Sequence, residues 1–142
     1  MSARAKRMTQ KELRQPDEFV TAIMLPQPAE GSVSAFIKLE TNANDLAILN
    51  AAVVLTLDGS NRCSRARVFV GGGTGETPAR AGSAEQALAG AVVDAGTIDN
   101  AAQAAKSDVD PISDHRASAE YRAEMTRVLV ARAIRKALAR AG

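Results

Sequence analysis

Three short stretches carry residue types that chemistry uses. Gly71-Gly72-Gly73-Thr74-Gly75 has the glycine density of a loop whose backbone N–H groups cradle phosphate. A P-loop ends in Gly-Lys-Ser/Thr, so that a lysine reaches the phosphates and a hydroxyl reaches magnesium. Here Glu76-Thr77-Pro78 follows and sets a carboxylate where phosphate would sit. The dinucleotide pattern GxGxxG fails too, because its third glycine is missing and Pro78 delays a helix. The run is expected to be a flexible turn between sheet and helices. Asp114-His115-Arg116 lines up an acid, an imidazole and a base, but side chains adjacent in sequence do not face one another in regular structure. Asp114 and Arg116 are expected to bond main-chain groups of a loop, and Ser113 and Ser118 suit helix capping better than nucleophilic attack. Cys63, flanked by Arg62 and Arg65, has neighbours that lower a thiol pKa, yet its place near a hairpin favours a packed thiol. No self-sufficient active site emerges. A binding or scaffold module fits these residues better than a complete enzyme.

Counting residues narrows the field further. One cysteine and one histidine, His115, exclude an internal disulfide and a multi-histidine metal site. The chain has 142 residues, 46% apolar and 24% charged, as expected of one globular domain with a short tail. The longest nearly apolar run, Leu46 to Leu57, is interrupted by Asn50 and Thr56 and is too short to cross a bilayer. No charged start leads into an apolar signal segment, so the expected address is the cytoplasm, with no membrane partner. The net charge of +2 is unevenly spread: Arg4, Lys6, Arg7, Lys11 and Arg14 crowd the beginning, and six more bases follow Tyr121. Basic ends suit nucleic acid. Aromatic residues are only 3% of the chain, however, and no recognised RNA- or zinc-finger spacing supplies base readout, so solvated helix faces or a subunit contact fit better.

The elements that must position these residues follow from periodicity. Residues 1–16 read as a basic tail and 17–142 as the domain. Phe19, Thr21, Ile23 and Leu25 alternate as one face of a strand, stopped by Pro26 and Pro28. Ser34, Phe36, Lys38 and Glu40 share one face of the next strand. Turn residues Thr41 to Asp45 lead into Leu46–Leu57; Asp58-Gly59 marks a hairpin, and Arg65 to Val70 returns. Beyond the glycines the period becomes helical. Ser83 with Gln86 forms a capping-box pattern for a helix through Ala84–Leu88, closed by Gly90. Thr97 or Asp99 caps a second helix through Asn100–Lys106, broken by Asp110-Pro111. A third runs from Ser118 to Arg140 with Tyr121, Met125, Val128, Ile134 and Leu138 on its apolar face and a basic stripe of Arg122, Lys136 and Arg140 beside it. Strands first and helices afterwards indicate an α+β fold: a three- to four-stranded antiparallel sheet followed by three helices packed on one face.

Several segments in this order resemble one family: Phe19–Pro26 (FVTAIMLP), Ser34–Leu39 (SAFIKL), Asn44–Leu57 (NDLAILNAAVVLTL), Thr77–Ala81 (TPARA) and Asp110–Arg122 (DPISDHRASAEYR). Together they are similar to the C-terminal domain of the FAD-binding, or medium, subunit of molybdenum hydroxylases, the group of carbon monoxide and xanthine dehydrogenases. The resemblance implies a sheet-then-helices fold that covers one side of a flavin, while a larger N-terminal domain holds the pyrophosphate. It implies a complex in which electrons leave a molybdopterin large subunit, cross an iron–sulfur small subunit, and reach an acceptor through FAD. It also implies that Phe36 lies beside the isoalloxazine ring and that Lys38 and Asp45 lie near the flavin's exposed edge. The segment carrying Asp114, Arg116, Tyr121 and Arg122 is expected at a subunit contact.

Two departures qualify those expectations. Where the family often has a basic pair this chain has Thr41-Asn42, so its acceptor-side charge is expected to differ and not to favour an NAD-linked reaction. Glycine-rich loops of the flavin-binding domain do not occur ahead of Phe19. The chain alone is therefore expected to hold no FAD and to be non-catalytic, acting only with a partner that supplies the main site. The alternative is a stand-alone interaction domain of the same fold, self-associating or bound to a different partner.

Overall fold

The computed structural model describes residues 15, 17–42, 44–75 and 77–141; the expected basic tail lies outside them apart from Gln15. Four antiparallel strands stand side by side in chain order: β1 (Ser32–Leu39), β2 (Leu49–Leu57), β3 (Cys63–Gly71) and the two-residue β4 (Ala79–Arg80). Three helices follow: α1 (Gly82–Leu88), α2 (Ala95–Ala105), extended by a 3-10 turn at Lys106–Asp108, and α3 (Ala119–Leu138). The expected α+β fold is the one observed, with the fourth strand reduced to a stub.

Strict alternation makes the sheet two-sided. Ala35, Leu49, Ala51, Val53, Leu55, Ala66, Val68 and Val70 point to one face and are buried beneath the helices. Their neighbours in sequence point outward. The β2–β3 hairpin turns on Asp58, whose Oδ1 accepts from the N–H groups of Ser60 (2.8 Å) and Arg62 (3.0 Å). Asn61 takes the left-handed conformation there (φ +57°), and a bulge between Thr56 and Leu57 absorbs the extra residue. Cys63 opens β3 fully buried, and that burial pushes its thiol pKa up. It is a packed thiol.

Four expectations about elements need correction. Phe19–Leu25 is not a strand here: it pairs with no strand among the described residues, and its large side chains stand in solvent. Ser83 does not cap α1 with its side chain; instead Asp108 accepts from the Ser83 N–H (2.8 Å) and hydroxyl (2.9 Å) across the fold. Helix α2 begins a turn earlier than expected because Asp94 accepts from the Thr97 N–H (2.8 Å). The buried face of α3 runs through Arg122, Thr126, Leu129, Val130, Ala133, Ile134 and Ala137, while Tyr121 is exposed. Arg122 therefore belongs to the interior, and the basic stripe of Arg122, Lys136 and Arg140 does not exist. Ser118 does cap α3, accepting from the Tyr121 N–H (3.2 Å).

Candidate functional site

Two surfaces concentrate the residues singled out by the sequence. The first is the outer face of the sheet, which no helix among the described residues covers. Register sets Phe36 opposite Ala52 and Ala52 opposite Phe69, so two aromatic side chains lie one strand apart on either side of a small residue. At the usual strand spacing their Cα atoms are roughly 9–10 Å apart. Phe36 is 55% exposed, Phe69 39% and Val54, in the next row, 43%. The result is a shallow apolar trough floored by Ala52, able to receive a flat ring or a partner's apolar side chains. Lys38 shares the face two residues along β1, and its ammonium pairs with Glu40. On the far side Arg80 is paired to Glu85 (2.5 Å), a carboxylate that also accepts from the Val68 N–H (3.1 Å). Burial raises the Glu85 pKa, but the Arg80 guanidinium, the Val68 N–H and Arg67 together hold it below the usual value.

The second surface is the loop end of the sheet, organised around Arg122. Its side chain is buried and its N–H groups reach the Ile48 carbonyl (3.1 Å), the Ile112 carbonyl, the Ala117 carbonyl (3.4 Å) and both Asp114 oxygens (2.8 and 2.9 Å). Gly73 lies flat against the guanidinium: a Cβ there would stand 2.7 Å from Arg122 Cζ, at a φ of +74°. The Gly73 carbonyl accepts from the Ile112 N–H (2.9 Å), and Thr74 is buried with its hydroxyl on the Val70 carbonyl (3.0 Å). The glycine run is a packed turn rather than the flexible one expected. Its concavity is filled by this chain's own arginine.

Asp114 also accepts from the Arg116 and Ala117 N–H groups (2.8 and 3.1 Å). The Arg116 N–H, then the Arg122 guanidinium, hold its carboxyl down to about 2 against the opposing effect of burial. Asp45, in the turn after β1, ion-pairs with Arg116 (3.8 Å) and bonds the Leu46 N–H (2.7 Å). Thus Asp45, Arg116, Asp114 and Arg122 form one chain of contacts. Leu46, Ala47, Gly72 and His115 complete a concave surface above it. Phe36 is not part of this cluster, lying mid-strand on the outer face, and Tyr121 is half-exposed on the first turn of α3. Sequence reasoning missed Phe69 and Gly73. The first needs the β2–β3 register to be seen beside Phe36; the second needs Arg122 known to be inside. Among the described residues no group of three His, Cys, Asp or Glu side chains is placed to hold a metal.

The family model described as the CO dehydrogenase flavoprotein C-terminal domain matches residues 34–137. The chain belongs to this family. It is 40% identical over 126 residues to the 6-hydroxypseudooxynicotine dehydrogenase complex subunit alpha of Paenarthrobacter nicotinovorans, covering 89% of this chain and 42% of that protein. It is 38% identical over 127 residues to the carbon monoxide dehydrogenase medium chain of Afipia carboxidovorans, covering 89% and 43%. A carbon monoxide dehydrogenase from Hydrogenophaga pseudoflava, solved without the Mo-pyranopterin moiety of its molybdenum cofactor, superposes with a TM-score of 0.76 at 32% identity, over 82% of this chain and 40% of that one. The chain spans about two fifths of the length of the relatives it matches. The SAFIKL, NDLA and DPISDHRASAEYR segments thus pointed to the family that is found.

Proposed function

We propose that this chain is the flavin-covering part of an FAD-binding medium subunit, serving a molybdenum hydroxylase that also contains an iron–sulfur and a molybdopterin subunit. The observation that carries this reading is the uncovered Phe36–Ala52–Phe69 row on a domain of this flavoprotein family. The residues present fit one part of FAD and not the other. A ring face suits the apolar trough. The pyrophosphate has no cradle in the glycine run, because Arg122 fills it and Asp114 neutralises that arginine. Tight binding therefore needs the larger remainder of the subunit, and the isolated chain binds FAD no more tightly than about millimolar.

Bound FAD supplies electron transfer from the iron–sulfur subunit to an acceptor. The residues of this chain do four things around it. Phe36 and Phe69 exclude water from one side of the ring. Lys38 and Asp45 set the charge near its exposed edge. Asp114, Arg116 and Tyr121 present a surface to a neighbouring subunit, and Arg122, from inside, fixes the loop that carries them. Chemistry resides in the assembly and not in this chain.

Isolating the tagged chain from its own host tests this reading. Flavin, iron and molybdenum are expected to accompany it in one complex. A chain that comes out free of all three, while folded by circular dichroism, refutes the assignment.

A further inference from the structure

Strand β4 stops after two residues, and the place where it would continue beside β3 is open. Ala81 still donates to the Val68 carbonyl (2.8 Å), and the chain then turns down into α1. It meets the edge of β3 again only at the far end. There the Gly90 N–H bonds the Cys63 carbonyl (2.7 Å) and the Cys63 N–H bonds the Ala91 carbonyl (2.9 Å). Between these two ties, residues 64–67 have no strand opposite them on this side among the described residues. The gap is a slot of about 440 Å³ between the edge of β3 and the side of α1 that carries Gly82, Glu85, Gln86 and Ala89. Val68 points its N–H and C=O out of the sheet edge, to Glu85 Oε1 (3.1 Å) and to Ala81. Alternation points those of Ala66 the same way, into the slot.

The charge around the slot is one-sided. Arg65, Arg67 and Arg80 line it from the outer side of the sheet, and Glu85 is the one carboxylate among its lining residues. Glu85 is buried and accepts from Arg80 Nε (3.0 Å) and Nη2 (2.5 Å) and from Arg67 Nη1 (3.3 Å). It therefore holds two guanidinium groups in place and leaves Arg80 Nη1 and Arg67 Nε and Nη2 without an acceptor among the described residues. Arg65 is exposed and ion-pairs with none of the described carboxylates. Three guanidinium groups against one carboxylate leave excess positive charge in a concave place, and donors that are already ordered lose less freedom when a ligand arrives.

We propose that this slot is a docking site for a short extended segment of an acidic partner protein, laid along β3 in line with β4. Register sets the pattern it must have. Residues opposite Arg67 and Arg65 fall on the outer side of the sheet with those arginines, and the residue between them, opposite Ala66, falls towards α1 at Ala89. The segment therefore reads acidic, small, acidic. Its two carboxylates face Arg67 and Arg65 as cross-strand pairs of opposite charge, and the Ala66 N–H donates to its main chain. A nucleic-acid backbone suits the slot less well, because it needs positive charge along a longer track than residues 64–67 provide and Glu85 sits within it. The slot lies at the edge of the sheet, and its occupancy does not depend on the flavin-covering role proposed above.

Titrating the blocked peptide acetyl-Glu-Ala-Glu-Ala-Glu-amide into the isotope-labelled 142-residue chain, followed by amide chemical shifts, tests it. The amides of residues 64–67 and of α1 are expected to shift saturably with a Kd of about 1 mM or tighter, and the matching lysine peptide to leave them unmoved. Arg65→Glu, at an exposed position with no ion pair to lose, is expected to weaken the peptide about tenfold or more while the circular dichroism stays that of the parent. Should that variant not fold, Arg65→Gln takes its place, with a loss of severalfold. No saturable shift up to about 10 mM peptide overturns the proposal, as does unchanged affinity in the Arg65 variant. Inorganic phosphate that moves the same amides with equal affinity reduces the slot to a simple anion site and overturns the docking role. A thymidine oligonucleotide that binds there more tightly than the peptide overturns it in favour of nucleic acid.

Discussion

Arg122 has five N–H groups and the fold supplies five acceptors, two of them the oxygens of one carboxylate. A buried guanidinium so completely satisfied can hold two separate stretches of chain, at Ile48 and at Ile112–Ala117, in one arrangement. Asp114 is the charged end of that arrangement, and its titration reports on it. Its folded pKa of about 2 lies below the ordinary 3.8. Between those values the unfolded chain binds the proton more readily than the folded one, so stability rises with pH there. The contribution is complete above about pH 4 and is lost as the pH falls through about 2. Asp114→Asn is therefore expected to be less stable than the parent at neutral pH, and to lose less of its urea midpoint between pH 4 and pH 2. Parallel midpoint-against-pH curves for the two proteins would show that this carboxylate is not coupled to folding.

Helix α1 is seven residues long and has no cap of its own, which makes it dependent on Asp108 at the end of the 3-10 turn. Truncating that carboxylate as Asp108→Ala leaves the Ser83 N–H and hydroxyl without their partner. It is expected to cost about 1 kcal/mol, read from the urea midpoint at constant slope. No sequence window shows this contact, since the two residues are far apart in the chain; Ser83 and Gln86 offered a local cap that the fold did not use. Local signals did reveal the outward alternation of Ser34, Phe36 and Lys38, the Asp58 hairpin and the Ser118 cap, because each rests on residues within a few positions. The buried stripe of α3 was hidden for a different reason. It contains an arginine and a threonine, and the acceptors that satisfy the arginine come from two loops that the helix sequence does not contain. Phe19–Leu25 was misread because an alternating pattern specifies a strand only when another strand is there to pair with it.

At the scale of the whole molecule, the sheet divides the chain into a face packed beneath the helices and an open face, the one proposed above to meet the flavin. The inner face is closed by α1 and α3, with Leu55 and Val53 wholly or almost wholly buried. The outer face and the Phe19–Leu25 segment leave apolar side chains in water, an arrangement that costs the isolated chain solubility and is relieved only by cover. The two faces should therefore separate stability from assembly. Leu55→Ala, on the inner face, is expected to destabilise the chain by about 2–5 kcal/mol through the cavity it leaves. Phe36→Ser, on the outer face, should change stability by no more than about 1 kcal/mol, because the side chain is already half in solvent. In the assembled complex the order reverses in flavin content: at a temperature where both variants are folded, the serine variant is expected to retain less FAD per molybdenum than the alanine variant. If Phe36 were an ordinary packing residue of β1, its removal would lower the urea midpoint as a core substitution does and leave flavin content at the parent level, and the division between the two faces would fail.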